Sequence, residues 1–407
     1  MDAQKEARLS LLSIYFTFFI DNLCWSIVFP IFAPYFLDPG NRLFSADFSE
    51  GSRTMVLGFF LMAFSFGQFL GAPLIGEYGD RNGRRKALIL GVFFTLAGLA
   101  MSAWSMAAGN LYLLFAGRLI TGIFSSNMSV CLACVSDLST GESKAKNYGT
   151  LSVIAGLSFV LGAFLGGKLS DPSIHPSFSF NFPLWIATGM SALNLIFLYF
   201  GFRETFQVRP DVKYRFFESF ENLKIALKTE RIKRVYSVYF LFLFAWTMLF
   251  QFTPVIAVDS YSFTSSNIGD LALFMGICWA IGSYLNQMLL YYFPSVKILE
   301  ACLVAFTIFC ALIIFPKNLY GVLTILGLCV VIGGIAWPLC TALISDLSPK
   351  EMQGKILGMS QSVQSFAMAA APLIGGIAYV SASSLPFWIG SGASLIAVSI
   401  YFTLKDR

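Results

Sequence analysis

Gly76-Glu77-Tyr78-Gly79-Asp80-Arg81-Asn82-Gly83-Arg84-Arg85-Lys86 is a short basic segment set between two long apolar runs, and its order decides how the whole chain is read. Glycines let two helix ends turn tightly. Asp80 suits the positive N-terminal end of a neighbouring helix, and Arg81, Arg84 and Arg85 suit carboxylates across an interface between two halves of the chain. Such a latch is made in one conformation and broken in another. An ordinary basic loop carries no ordered string of this kind, so Gly76, Asp80, Arg81, Gly83, Arg84 and Arg85 read together as a conformational device.

The sequence around the segment is that of a membrane protein. Of its 407 residues 57% are hydrophobic and 12% charged, against about 45–50% and about 25% in soluble domains. The apolar excess, including 43 Phe, 16 Tyr and 7 Trp, extends along the whole chain at a mean hydropathy of +0.73. Twelve runs are long enough to cross the hydrocarbon, near 10–36, 54–75, 87–108, 111–135, 148–169, 182–203, 235–258, 269–293, 298–315, 319–345, 356–379 and 386–404. Continuous runs without period-2 alternation mean helices rather than a barrel. The first run exceeds a signal-peptide core and lacks a small-residue cleavage site, so it reads as a retained span.

An even number of spans puts both termini on one side. Of the 27 Lys and Arg, 22 fall in the termini and the even-numbered connections, and only Arg42, Arg53 and Lys317 fall opposite. The positive-inside rule then makes both termini cytoplasmic, and the short loops suit a cytoplasmic membrane. The net charge of +5 is not gathered on one surface, which excludes a nucleic-acid partner. All eight Cys lie inside apolar runs, where a secreted-type disulfide framework has no loops to staple.

The chain also repeats itself. Shifted by 209 residues, Cys131 to Gly167 aligns without a gap on Cys340 to Gly376 with eleven of 37 positions identical, among them Ser136-Asp137-Leu138-Ser139 and Gly166-Gly167. The expected architecture is therefore an all-α polytopic fold of twelve transmembrane helices in two pseudo-symmetric six-helix halves, residues 1–203 and 235–407. Residues 204–234 form the polar linker, whose FFESFENLKIALK stretch suits an amphipathic surface helix.

Five features, in order, resemble one family. They are Asp21 with Pro30 and Pro34, Gln68 with Ala72-Pro73, the segment quoted first, Arg118-x-x-x-Gly122, and the span 5 run Ser158-x-x-x-Gly162-Ala163-x-x-Gly166-Gly167. The chain resembles the major facilitator superfamily along essentially its whole length, in particular the twelve-span drug:proton antiporters of the tetracycline-exporter type. The resemblance implies a monomeric secondary transporter with no cofactor, drawing on the proton gradient. It also implies a proton-coupling or substrate-contacting role for Asp21 and a part in proton transfer for Arg118. Span 5 departs from the family, with Ala163 in place of a proline and Ser158 in place of the first glycine, so symport or facilitated transport stays open.

The residues themselves point the same way. A carboxylate midway along an apolar helix costs about 2.5–3.5 kcal/mol to insert, so Asp21 is expected to face a cavity and carry protons or touch ligand. The alternative is a structural pairing with Asn22 or Arg118. Arg118 stays charged and needs carboxylates, carbonyls or water; a purely structural arginine bonded to span 1 carbonyls is the alternative. Small residues at Gly122, Gly162, Gly166, Gly167, Gly375 and Gly376, with Pro372 beside the last two, suit close helix packing, and span 5 suits the seam between halves. Aromatic and polar side chains within spans make a candidate cavity for a partly apolar organic substrate: Asn22, Trp25, Trp246, Gln251, Trp279, Trp337, Gln361 and Gln364. Asn127 is a weaker candidate, since nine residues past Arg118 on one helix it points about 180° away.

Enzyme and pump readings fail on spacing. Gly162-x4-Gly167-Lys168 imitates a phosphate loop but is followed by Leu169 and preceded by no strand. Cys131-x-x-Cys134 has no second pair, and the only histidine is His175 in an external loop, so no metal site or triad is expected.

Overall fold

Hydrocarbon gives backbone N–H and C=O groups no partner, so each apolar run has to close its own hydrogen bonds. In the computed structural model every one of the twelve runs does so as helix, from Leu9–Leu37 to Leu385–Thr403. The backbone is described for residues 2–45, 47–125, 127–139, 142–204, 220–221, 224, 230–316, 318–346 and 353–405; the side chains of 2–8, 142, 144–145, 230–232, 345–346, 353–358 and 404–405 are outside the description. Most of the polar linker, with its expected surface helix, therefore lies outside the described residues.

Among the described residues there is no strand, and the helices are α1 (Asp2–Ser26), α2 (Phe29–Leu37), α3 (Glu50–Asn82), α4 (Arg84–Ala108), α5 (Leu111–Phe124), α6 (Asn127–Leu138), α7 (Glu142–Leu169) and α8 (Phe182–Gly201). They continue with α9 (Glu230–Tyr261), α10 (Ser265–Tyr292), α11 (Ser295–Leu312), α12 (Leu319–Asp346), α13 (Gln353–Ser381) and α14 (Leu385–Lys405). Ten spans are single helices. Span 1 is split into α1 and α2, and span 4 into α5 and α6.

Both breaks have local causes. Pro30, in the first turn of α2, has no N–H to donate to the Ser26 carbonyl four residues upstream, and at the same place Ser26 Oγ donates to the Leu23 and Ser158 carbonyls at 3.1 and 3.2 Å. In span 4, Thr121 Oγ1 donates back to the Gly117 and Arg118 carbonyls, and Ser125 Oγ to the Gly122 carbonyl. Back-bonding of this kind bends a helix and competes with its ladder. Gln68 of α3 adds a bond from Nε2 to Ser125 Oγ at 3.3 Å, so the helical run stops at Phe124; residue 126 lies outside the described residues, and α6 runs from Asn127.

The chain forms two compact units. The first holds Met1–Asp47, Ala63–Phe217 and Thr264–Leu273; the second holds Phe48–Met62, Glu218–Phe263 and Phe274–Arg407. In the first, α1 packs on α6, α7 and α8, and α4 on α5 and α8. In the second, α9 packs on α12, α13 and α14, and α11 on α12 and α14. The two wiring schemes are the same, so the sequence repeat is also a packing repeat.

The basic segment is nearly all helix. Gly76 to Asn82 are the last turns of α3, Arg84 opens α4, and the corner is one residue, Gly83, at φ +99°. Only glycine adopts that conformation without strain, and a Cβ there would also strike the Glu204 carboxylate. Glu204, past the end of α8, caps α4: its Oε1 accepts from Arg84 N at 2.9 Å and its Oε2 from Arg85 N at 3.1 Å. A carboxylate at a helix N-terminus satisfies orphan donors and complements the dipole. Arg84, largely buried, bridges Asp80 at 2.7 Å and Asp137 of α6 at 3.4 Å. In this structure, then, Asp80 and Arg84 join spans 2, 3 and 4 within one unit.

Gly83→Ala should cost about 1–2 kcal/mol from the left-handed backbone alone, and displacement of Glu204 adds to it. Gly76→Ala, whose Cβ would meet nothing within 4 Å, is the internal control and should leave the melting temperature in detergent unchanged or slightly raised. Equal melting temperatures for the two variants would contradict this account of the corner.

Candidate transport site

Asp21 sits in the last turns of α1, just before the span 1 break, and is 7% exposed. Its carboxyl lies beside the carboxamide of Asn127, the first residue of α6 and so just after the span 4 break. Asn127 is fully buried, and Gly91 of α4 leaves the space its carboxamide fills, since a Cβ on Gly91 would collide with both amide atoms. Neither amide atom of Asn127 nor Oδ2 of Asp21 reaches a hydrogen-bond partner among the described residues. Buried polar groups in folded proteins are nearly always satisfied, so this pair, each facing the other without a full hydrogen bond, is the candidate point of contact for a proton or substrate.

Asn127 therefore outranks its sequence reading. The phase argument that turned it away from Arg118 assumed one continuous helix over nine residues, and the break between α5 and α6 removes that assumption. The clustered serines and threonine before it, Thr121, Ser125 and Ser126, were the available signal. Glu204, at the start of the polar linker by sequence, is in the structure a helix cap.

Arg118 is seated on rings. Its guanidinium carbon lies 4.2 Å from the Phe64 ring centroid and 5.3 Å from that of Phe32. Aromatic faces attract a cation most strongly where water is excluded. Gly122, one turn on, lets α5 close on α3, because a Cβ there would enter the Phe64 carbonyl. The small face continuing from Arg118 thus serves to bring Phe64 over it.

Three of the proposed substrate residues come together in the second unit. Trp246 of α9 and Trp279 of α10 have ring centroids 5.1 Å apart, and Trp279 and Trp337 of α12 lie 5.8 Å apart. Gly333 gives Trp246 its room. In the first unit Trp25 packs against Phe159 of α7 at 5.5 Å. Two amides are committed to the protein itself: Asn22 Nδ2 donates to its own helix at the Phe18 carbonyl, 2.8 Å away, and Gln364 Oε1 accepts from Tyr239 Oη at 3.1 Å. Gln251 is partly buried in α9, and Gln361 is exposed on α13.

The glycine stripe of span 5 divides in two. Gly162 and Gly166 face α1, where side chains would collide with Leu23, Ser26 and Ile27, inside the first unit rather than on a seam between sequence halves. Their turn-by-turn phase differs from that of Gly167, which meets Gly269 of α10 backbone to backbone. The repeat reproduces the pattern. Gly375 faces Met248 and Phe252 of α9, and Gly376 meets Gly58 of α3, with the Pro372 carbonyl closing on the same glycine. Beside these crossings, Lys168 Nζ lies 2.7 Å from Asp270 Oδ2, and Tyr379 Oη donates to Asp259 Oδ2 at 2.7 Å.

If Asn127 is idle structurally, Asn127→Leu, close in volume, should leave the melting temperature unchanged or higher, because it removes two unsatisfied buried groups. Transport should fall nonetheless. A loss of several degrees would show that the carboxamide holds the fold instead.

The sequence pattern of the Major Facilitator Superfamily matches residues 14–293 and 290–407. The tetracycline resistance protein, class C, of Escherichia coli is 25% identical in an alignment of 347 residues that covers 84% of this chain and 84% of that protein. The crystal structure of the human organic anion transporter MFSD10 (TETRAN) is similar at a TM-score of 0.72 and 21% identity, covering 97% of this chain and 99% of that one. A D-xylose-proton symporter is similar at a TM-score of 0.74 and 15% identity, covering 97% and 98%. At these identities the structural likenesses speak for the fold, and the pattern match spans nearly the whole chain. This twelve-span, all-helical chain belongs to the Major Facilitator Superfamily, a family of membrane transporters and not of enzymes.

Proposed function

We propose that this transporter exports a small, partly apolar organic molecule in exchange for protons, by alternating access, with both termini in the cytoplasm. The observation that carries the reading is Asp21, a buried carboxyl next to a helix break and beside the buried carboxamide of Asn127. Discontinuous helices at mid-membrane are where carriers of this kind bind substrates and coupling ions. Likeness to a tetracycline resistance protein over most of both chains supports drug-like cargo and outward direction.

In the proposed cycle Asp21 takes a proton from outside when the carrier opens outward, and releases it inward as substrate enters. A neutral carboxyl passes through an occluded state that an ionised one resists. Arg118, held between Phe32 and Phe64, supplies a fixed positive field to that step. Trp246, Trp279 and Trp337 offer flat apolar faces to an aromatic or cationic cargo. The segment at Gly83, with Asp80, Arg81, Arg84 and Arg85, acts as the cytoplasmic latch of that cycle. Ala163 at the place of the family's span 5 proline favours a second reading, a carrier of the same fold dedicated to a siderophore or metabolite, or importing a nutrient with protons.

Accumulation of a dye or tetracycline in cells stripped of their own exporters tests the first reading. Wild type should lower accumulation, and both an uncoupler and Asp21→Asn should restore it. Flux unaffected by Asp21→Asn would remove that residue from coupling, and uphill accumulation of a nutrient would establish import. Spin labels at the cytoplasmic ends should shift toward the inward-open distances in Asp80→Asn; an unchanged distribution removes the latch.

A further inference from the structure

The sides of α4 and α8 leave a groove of about 520 Å³ that the transport reading does not use. Its walls are apolar: Ile89, Leu90 and Phe93 from α4, and Leu195, Ile196 and Phe200 from α8. Phe93, Ile196 and Phe200 are 50%, 55% and 80% exposed, so in a membrane span they face the bilayer and lipid is what covers them. Lys86 and Phe93 are seven residues apart, which is about 10 Å of helix.

One end of the groove is polar, with Lys86, Tyr78 and Tyr199 at the rim. Beside that end α4 and α8 cap each other, Glu204 holding the first N–H groups of α4 and Arg85 Nη2 donating to the Tyr199 carbonyl at 2.6 Å. The Arg85 guanidinium also lies 5.5 Å from the Tyr199 ring centroid. The nearby carboxylates are occupied, Asp80 by Arg84 and Glu204 by backbone N–H groups. Lys86 is exposed, and among the described residues it has no ion pair or hydrogen bond; the hydroxyls of Tyr78 and Tyr199 have none either.

The geometry points to a binding site for one anionic phospholipid, with an acyl chain in the groove and the phosphate between Lys86, Tyr78 and Tyr199. Basic pockets between membrane helices select acidic headgroups in this way. The apolar wall sets the site apart from a free-anion site, and the uncompensated lysine sets it apart from a zwitterionic one. Occupancy braces α4 against α8 next to the Gly83 corner. The inference is independent of what the transporter carries.

The test uses the full chain in detergent, following thermal unfolding during titration with phosphatidylglycerol, with phosphatidylcholine of the same chains, and with inorganic phosphate. Phosphatidylglycerol should raise the melting temperature of wild type, and the other two should not. Lys86→Gln should raise the half-effective phosphatidylglycerol concentration about fivefold. Ile196→Trp, which fills the groove, should abolish the shift, and Lys297→Gln, an exposed lysine on α11, should titrate as wild type. Equal stabilisation by phosphatidylcholine, a shift with phosphate alone, or equal weakening by Lys86→Gln and Lys297→Gln would each overturn the assignment.

Discussion

An unsatisfied backbone group in hydrocarbon costs several kcal/mol, and the structure of this transporter follows from that constraint. It obliges every span to be helical, and it makes each interruption conspicuous. Two spans are interrupted, 1 and 4, and in both a serine or threonine hydroxyl takes up carbonyls near the break. Asp21 lies just before one break and Asn127 just after the other. The polar residues that the membrane tolerates least therefore sit where the backbone is already irregular.

Close approach is the second organising feature. Lipid tails are as apolar as leucine, so helices in a membrane associate through tight packing rather than through the hydrophobic effect. Glycine provides that packing at repeat-related places, Gly166 on span 1 and Gly375 on span 7, Gly167 on span 8 and Gly376 on span 2. Each pair places one glycine inward on the span that opens its half and the next on a span that crosses it. Lys168 with Asp270 and Tyr379 with Asp259 add polar links beside the crossings without repeating each other chemically. The repeat thus conserves backbone distance more closely than side-chain chemistry.

The Gly83 corner joins these levels. A single left-handed residue reverses the chain, Glu204 from 120 positions away caps the new helix, and Arg84 ties two carboxylates together beneath it. The glycine is required twice, once for its φ and once because a Cβ would occupy the place of the cap.

The span count, the internal repeat, the basic segment and the outlying charges Asp21 and Arg118 were legible in the sequence, because transfer energies are additive along a chain and a charge in an apolar run stands out unaided. Twelve runs became twelve spans with ends shifted by a few residues. Tertiary structure alone decided which polar side chains meet. It set Asn127 beside Asp21, gave Arg118 two aromatic rings, gathered Trp246, Trp279 and Trp337, and committed Asn22 and Gln364 elsewhere. Helical phase carries across a span only while the helix is unbroken, and rotation of one helix about its neighbour depends on contacts hundreds of residues apart. The reach of Glu204 to Arg84 is not written in local sequence, because it is settled by packing between spans, and the break after Phe124 shows there only as the cluster of hydroxyl residues that back-bond at it.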